Sequence, residues 1–364
     1  MRHVNLSGVW TIFIFLIVNN SIAINISEGF KSAPSQLNDV NYTILNNVIH
    51  DSKNFSRLTS LIIVKDGYLL CENYYGKSKK ETLQNVCSVS KTVIGLLIGM
   101  SVKKGNIHDV DDPLSAYLKT LPENWNEDKN KIQIKHLLSM TNGLTWNESD
   151  YDIVFETKEP LQYILSKPLQ SKPSETFNYD MSAYTLSAIV SEVSGMSAND
   201  FARKNFFGKL GITRTNWDTL GSYTLGFSGL SIMPYDMAKI GQFMLQNGFT
   251  GADSLLPEQW MEHMSQNQAK NGIGASAEGI GDATEGGYGY MCWLAKKNSV
   301  RFFWAGGFGG QRIIVVPDKK LVVVMTASID KPFWMPQTRY WKKSNDQDRN
   351  LLNFFTNRIL PAFE

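Results

Sequence analysis

Hydrophobic and polar positions divide the chain into a β-rich start, a helical middle and a β-rich end. Leu58 to Lys65 and Tyr68 to Tyr74 are apolar, β-branched and aromatic runs around Asp66-Gly67, which predicts a hairpin with a two-residue turn. Ser88 to Val102 is apolar on every side and closes with Lys103-Lys104-Gly105, predicting a buried helix with a glycine stop. Helical periodicity then predicts a short helix over Ile132 to Met140, ending at Asn142-Gly143, and an apolar helix over Ala183 to Val193. Phe201 to Leu210 and Met233 to Asn247 follow, the second with Pro234 in its first turn. Tyr288 to Leu294, Val300 to Trp304, Gln311 to Val316 and Leu321 to Thr326 read as strands, the last two joined by Pro317 to Lys320, and Asp346 to Ile359 reads as a closing helix. Residues 24–40 are poor in pattern and read as an extended lead-in. The packing expected is α+β: one antiparallel sheet built from both chain ends with flanking helices, plus a mainly helical lobe. The α/β lobe would take about residues 40–110 and 285–364, and the helical lobe about 111–284.

Within the apolar helix, Lys91 is the only charge between Ser88 and Val102. A buried lysine costs several kcal/mol unless it is paired or sheds its proton, so its presence needs a reason. Catalysis supplies one. The spacing Ser88-x-x-Lys91 puts both side chains on one helix face, where an amine whose pKa is lowered by desolvation can take the hydroxyl proton. Ser88 would stand at the helix start, where free N–H groups favour an oxyanion. The same spacing recurs at Ser101 to Lys104, on the solvated helix end, and at Ser328 to Lys331, which lacks an apolar helix behind it. The competing reading makes Ser88 an N-cap and Lys91 a snorkelling surface residue.

Two further stretches bear on the pair. Tyr179, in Phe177-Asn178-Tyr179-Asp180-Met181, lies at a loop-to-helix junction, where it could share a proton with a lysine or simply pack its ring. Trp304-Ala305-Gly306-Gly307-Phe308-Gly309-Gly310-Gln311 places four glycines between two strands, either a plain turn or a place where a ligand lies against backbone N–H groups. The five histidines offer little: His3 lies near the start, His50 and His108 in polar loops, His136 in a short helix and His263 on a surface helix. No G-x-S-x-G, H-E-x-x-H, paired cysteines two apart or P-loop occurs, so no metal or cofactor is expected and Lys91 is the best base available.

Composition narrows the setting. The 364 residues are 43% hydrophobic, enough for a real core, and a formal charge of +2 without a basic stripe argues against nucleic acid as a partner. Val9 to Val18 is apolar and Ser21-Ile22-Ala23 offers small residues at the −3 and −1 positions, which reads as a signal peptide spanning residues 1–23 with cleavage after Ala23. The competing reading is an uncleaved anchor, but ten apolar residues are short for a span, so a periplasmic or secreted protein without a stable membrane span is expected. Three cysteines permit one bridge at most; Cys71 with Cys87 is conceivable, and three free buried thiols equally so. Nothing in the sequence signals an oligomeric state.

In order and spacing these pieces resemble the serine β-lactamase and penicillin-binding-protein-like hydrolases. The similarity is greatest to the branch with class C β-lactamases, esterases, D-amino-acid peptidases and 6-aminohexanoate-dimer hydrolases. The resemblance runs from about Leu58 to Thr326 and includes IKHLLSMTNGLTWNE, FNYDMSAYTLSAIVSEVSG, GLSIMPYDMAKIGQFMLQNG and GYGYMCWL followed by WAGGFGGQ. It implies a β-lactamase/transpeptidase-like fold and hydrolysis of a small-molecule or short-peptide amide or ester. Ser88 would be the acylated nucleophile, Lys91 its base, and Tyr179 the tyrosine of the second motif. Ala305-Gly306-Gly307 would stand where the third motif carries Lys-Thr-Gly or His-x-Gly, and the N–H groups of Ser88 and Phe308 would hold the oxyanion. Tyr151 and Trp146 would be substrate contacts or surface-loop aromatics. Met181 in place of Asn or Ser, and Ala305 in place of a cationic residue, imply weak action on β-lactams. They also leave a catalytically silent protein that binds cell-wall peptides or a partner as the alternative.

Overall fold

A computed structural model describes residues 23–55, 57–269, 282–329 and 338–364. Val9 to Val18 and Lys331 lie outside the described residues. The strands are β1 (Lys31–Ser32), β2 (Leu58–Lys65), β3 (Tyr68–Tyr74), β4 (Gln84–Asn85), β5 (Thr215–Trp217), β6 (Thr219–Leu220), β7 (Tyr223–Thr224), β8 (Leu230–Ile232), β9 (Thr284–Tyr288), β10 (Trp293–Lys297), β11 (Val300–Gly307), β12 (Gln311–Val316) and β13 (Leu321–Ala327). The helices are α1 (Tyr42–Ser52), α2 (Val89–Lys103), α3 (Ile134–Leu138), α4 (Ser149–Glu156), α5 (Pro160–Ser166), α6 (Ser182–Ser194), α7 (Ala198–Asn205), α8 (Pro234–Leu245), α9 (Trp260–Ser265) and α10 (Thr338–Phe354).

The hairpin β2–β3 turns through Asp66 (φ 53°) and Gly67 (φ 78°), as its sequence predicts. It joins the C-terminal strands through β2, whose Val64 and Ile62 pair with Val322 and Val324 of β13. The resulting sheet runs β1-β3-β2-β13-β12-β11-β10-β9 and is antiparallel except for β1 with β3. Strands β2 and β13 are apolar at successive positions because helices cover both faces. Ile62, Val64, Val322 and Val324 face the core shared with α2 and α8, while Leu61, Ile63, Val323 and Met325 face α1 and the C-terminal segment. Each such buried side chain contributes about 1.5–3 kcal/mol. The α+β architecture, one large sheet built from both chain ends with helices on its faces, is the one the sequence predicts. Helix α8, from the middle of the sequence, packs on this sheet against β12 and β13.

Several predicted elements are corrected. The run Tyr288 to Leu294 is not one strand: β9 ends at Tyr288, Met291 adopts φ 57°, and β10 starts at Trp293. Between them Met291 donates its N–H to the Leu138 carbonyl (2.8 Å) and accepts from the Thr92 hydroxyl (2.6 Å), pinning the crossover to α3 and α2. Phe201 to Leu210 breaks at Phe206 (φ −126°, ψ −69°) into α7 and a 3-10 turn. The helical middle also holds the short strands β5, β6, β7 and β8, with β8 pairing back to β4 ahead of α2; all are too brief for period-two alternation to register. Cys71, Cys87 and Cys292 are all free and buried, which rules out the Cys71–Cys87 bridge; burial pushes each thiol up to about 12, leaving them inert.

Candidate active site

Ser88 opens α2 with φ −71° and ψ −3°, and its side chain makes no capping bond. The plain N-cap reading therefore fails. Lys91 Nζ lies 3.3 Å from Ser88 Oγ and 3.4 Å from the Phe227 carbonyl oxygen. The snorkelling reading fails too, because Lys91 is 2% exposed, with its ammonium over the rings of Tyr179 (4.6 Å) and Phe227 (5.6 Å). Burial pushes the amine down to about 7, against the pull of the Asp180 carboxylate.

The loop before Ser88 is tightly held. Cys87 adopts φ 49°, a left-handed conformation that costs a side-chain-bearing residue of order 1 kcal/mol and persists only under constraint. The constraint is visible: Cys87 N–H donates to Asn85 Oδ1 (2.9 Å), its carbonyl accepts from Ser90 Oγ (2.6 Å), and Val86 N–H donates to the Leu230 carbonyl (2.9 Å).

Tyr179 enters from the loop before α6 and stacks on Trp293 at 5.4 Å, with Tyr288 edge-on at 6.2 Å. Burial drives its hydroxyl well above the usual tyrosine range despite a hydrogen bond with Ser88, so it holds its proton at neutral pH. Its neighbour Asp180 accepts from Asn142 Nδ2 (2.6 Å) and from the Ser182 N–H (2.7 Å). Burial raises this carboxyl, while those donors and Lys91 pull it back. Met181 is wholly buried and packs as core.

Strand β11 supplies the opposite wall. A Cβ on Gly307 would fall 2.1 Å from the Val86 carbonyl oxygen, so this strand end lies directly against the loop that carries Ser88. Phe308 follows in the turn. Gly306 is the partly open member of the run, flanked by the Trp304 and Trp293 indoles, whereas Ala305 is wholly buried and offers no side chain to a ligand. Gln311, the last residue of the motif, accepts from the Ala327 N–H (3.2 Å) and donates to the Ala327 carbonyl (2.8 Å), a clamp between β12 and β13. Tyr151 sits on α4, edge-on to Trp146 (5.4 Å) and Phe227 (6.4 Å).

The structure thus brings Ser88, Lys91, Tyr179 and the Gly307–Phe308 strand end together, with Tyr151 beyond Phe227. The Phe227 carbonyl, Trp293 and Asp180 escaped the sequence reading; the first acts through backbone and carries no side-chain signature. His136 is buried and its Nδ1 accepts from the Gln133 N–H (3.0 Å), a structural bond that leaves it no role as base. Among the described residues no cluster of His, Cys, Asp and Glu could hold a metal, and no helix is long and apolar enough to cross a membrane.

Chemically, the arrangement joins a hydroxyl, an amine near neutrality at physiological pH and a phenol that keeps its proton. The chain is 22% identical over 308 residues to the 6-aminohexanoate-dimer hydrolase of Paenarthrobacter ureafaciens, covering 78% of this chain and 74% of that protein. Its fold matches EstCE1, a hydrolase with promiscuous acyltransferase activity, at a TM-score of 0.63 and 18% identity over 85% of this chain and 98% of that one. It also matches the octameric penicillin-binding protein homologue from Pyrococcus abyssi at 0.62 and 17%, over 88% and 77%. The Beta-lactamase family model matches residues 58–344, and with most of the chain so covered, this protein belongs to the beta-lactamase family and is a hydrolase.

Proposed function

We propose that the protein is an exported serine hydrolase that opens an amide or ester bond through an acyl group carried on Ser88. The 3.3 Å approach of a buried amine to a hydroxyl at a helix start carries this reading. Neutral Lys91 takes the Ser88 proton as Oγ attacks the substrate carbonyl carbon. The oxyanion forms near the Ser88 and Phe308 N–H groups, and Tyr179 donates its proton to the leaving group and recovers it from Lys91. A water then adds to the acyl carbon along the same path in reverse, freeing the acid and Ser88. The substrate is a small molecule or short peptide, with Tyr151 and Gly306 beside it. Ala305 and Met181 supply neither a cation for a β-lactam carboxylate nor an amide donor, so esters and simple amides are better substrates than β-lactams.

A fluorophosphonate probe is expected to label the wild type and not Ser88→Ala, and p-nitrophenyl ester turnover is expected to exceed nitrocefin turnover. Equal labelling of both proteins would overturn the assignment, and an unlabelled wild type without ester turnover would favour the silent binding protein.

The segment that follows the expected cleavage site is docked on the fold. Ile24 donates its N–H to Gln246 Oε1 (3.0 Å) and accepts from Gln246 Nε2 (3.2 Å), and Ile26 is wholly buried. Cleavage after Ala23 leaves this docked segment whole. N-terminal sequencing of protein from the periplasm or medium is expected to read Ile-Asn-Ile-Ser, and a start beyond Ile26 contradicts this cleavage site.

A further inference from the structure

We infer that Asp348 of α10 is a positioning residue for the oxyanion site, holding the turn that presents the Phe308 N–H. The inference rests on the Ser88 reading and adds a residue outside every motif discussed above.

The turn between β11 and β12 runs Phe308-Gly309-Gly310, with Gly309 at φ 78° and Gly310 at φ 98°. Two adjacent glycines in left-handed conformations have no side chains to fix them, and inside the turn, beyond the Gly307↔Gln311 ladder pair, Gly310 N–H donates to the Gly307 carbonyl (3.2 Å). Its rigidity must come from outside, and α10 provides it. Asp348 Oδ2 accepts the Gly309 N–H (3.3 Å), and Gln347 Nε2 donates to the Gly309 carbonyl. Both polar groups of one peptide position are thus gripped by consecutive residues of one helix. The contact is close: a Cβ on Gly310 would meet Leu351 at 2.3 Å.

Asp348 is itself fixed. Arg312 Nη2 lies 3.3 Å from its Oδ1 and 3.0 Å from its carbonyl oxygen, and the guanidinium rests over the Trp304 ring at 5.8 Å. Arg312 is 3% exposed on a strand otherwise made of buried apolar residues and Gln311, and the Asp348 side chain is 18% exposed, so this is a charge pair largely taken out of water. Replacing a buried pair by apolar residues is often neutral for stability, so stability alone gives this pair little reason to exist. Holding a mobile peptide within reach of a developing oxyanion gives it one, because such donors work only when preorganised. Burial raises the Asp348 carboxyl to about 6, still ionised at neutral pH and able to accept the Gly309 N–H.

The test uses the full chain, a p-nitrophenyl ester and four variants: Asp348→Asn, Asp348→Glu, the double Arg312→Leu/Asp348→Leu, and Ser88→Ala as control. Expected is a fall in kcat of about 10- to 100-fold in Asp348→Asn with KM within about threefold, partial recovery in Asp348→Glu, and an equal fall in the double variant. The double variant leaves no unpaired buried charge, so it keeps a cooperative melt and decides the matter if Asp348→Asn does not fold. A folded Asp348→Asn or double variant with wild-type kcat, or a loss confined to KM, overturns the inference. Undiminished turnover in Ser88→Ala instead overturns the nucleophile assignment, and the positioning role with it.

Discussion

Lys91→Met is expected to abolish ester turnover as fully as Ser88→Ala does, and to make the folded protein more stable. Nucleophile and base act as one unit, so removing either costs about 10⁴-fold or more in kcat/KM, and removing both costs little further. The stability gain follows from the same burial. In the unfolded chain this lysine keeps its proton up to about 10.5, whereas in the fold it gives it up near 7. Between those values the unfolded chain binds more protons, so wild-type stability rises with pH across that window and the charge penalises folding most at pH 7 and below. The shift corresponds to an upper bound of about 5 kcal/mol; losing the contact with the Phe227 carbonyl returns part of it. A gain of about 1–3 kcal/mol, or a Tm rise of roughly 2–6 °C at pH 7, is the expected net. Thermal melts at pH 7 and pH 9.5 check both parts, since the gap between the proteins should narrow at the higher pH. Wild-type kcat/KM should climb with pH through about 7 as Lys91 loses its proton, then hold level while Tyr179 keeps its own. A limb centred in the carboxylate range would assign the base elsewhere, and a variant melting below wild type would contradict the stability claim.

The reason Lys91 could be found in the sequence also explains what was passed over. One charge inside an otherwise apolar helix has few physical explanations, so Ser88 and Lys91 are legible in the sequence itself. Arg312 is the same kind of anomaly on β12, but an isolated cation on a strand looks like an outward-facing residue when period two is assumed, and only the helix over that face shows otherwise. Asp348 lies on a helix rich in charge, where one acid cannot be told from its solvated neighbours. The hairpin β2–β3 was legible to the residue because a turn dipeptide separates two strand patterns. The turn inside Tyr288 to Leu294 is hidden in the sequence because apolar and aromatic residues run on through it, while the bonds that impose it come from Leu138 and Thr92. The lobe arrangement followed from strands at both chain ends. The packing of α8 on the sheet did not, since an apolar helix face does not name its partner.

Gly307→Ala is expected to cost both stability and rate, although it adds one methyl group. Gly307 is not among the positions with positive φ, so the objection is steric and lies in the Val86 carbonyl oxygen, 2.1 Å from the added carbon. Neither partner can yield cheaply. The strand side is fixed by the register Ala305↔Ile313, Gly306↔Arg312 and Gly307↔Gln311 and by the Gln311 clamp on Ala327. The loop side is fixed by Val86 N–H on Leu230 and by the pairing of β4 with β8. Opening the gap by about 1 Å should destabilise the fold by about 1–3 kcal/mol. The same movement draws the Phe308 N–H away from Ser88, and a misplacement of about 1 Å at a reacting group can cost roughly 100-fold. Gly306→Ala is the matched control, because its Cβ would meet only indole side chains at 3.0 Å and 3.2 Å, which can rotate where a backbone carbonyl cannot. Urea melts and kcat on one ester substrate should place Gly307→Ala well below Gly306→Ala in both. Wild-type kcat and stability in Gly307→Ala would mean that the strand end is free to move away from the Ser88 loop, and that this contact does not hold the two walls of the site in place.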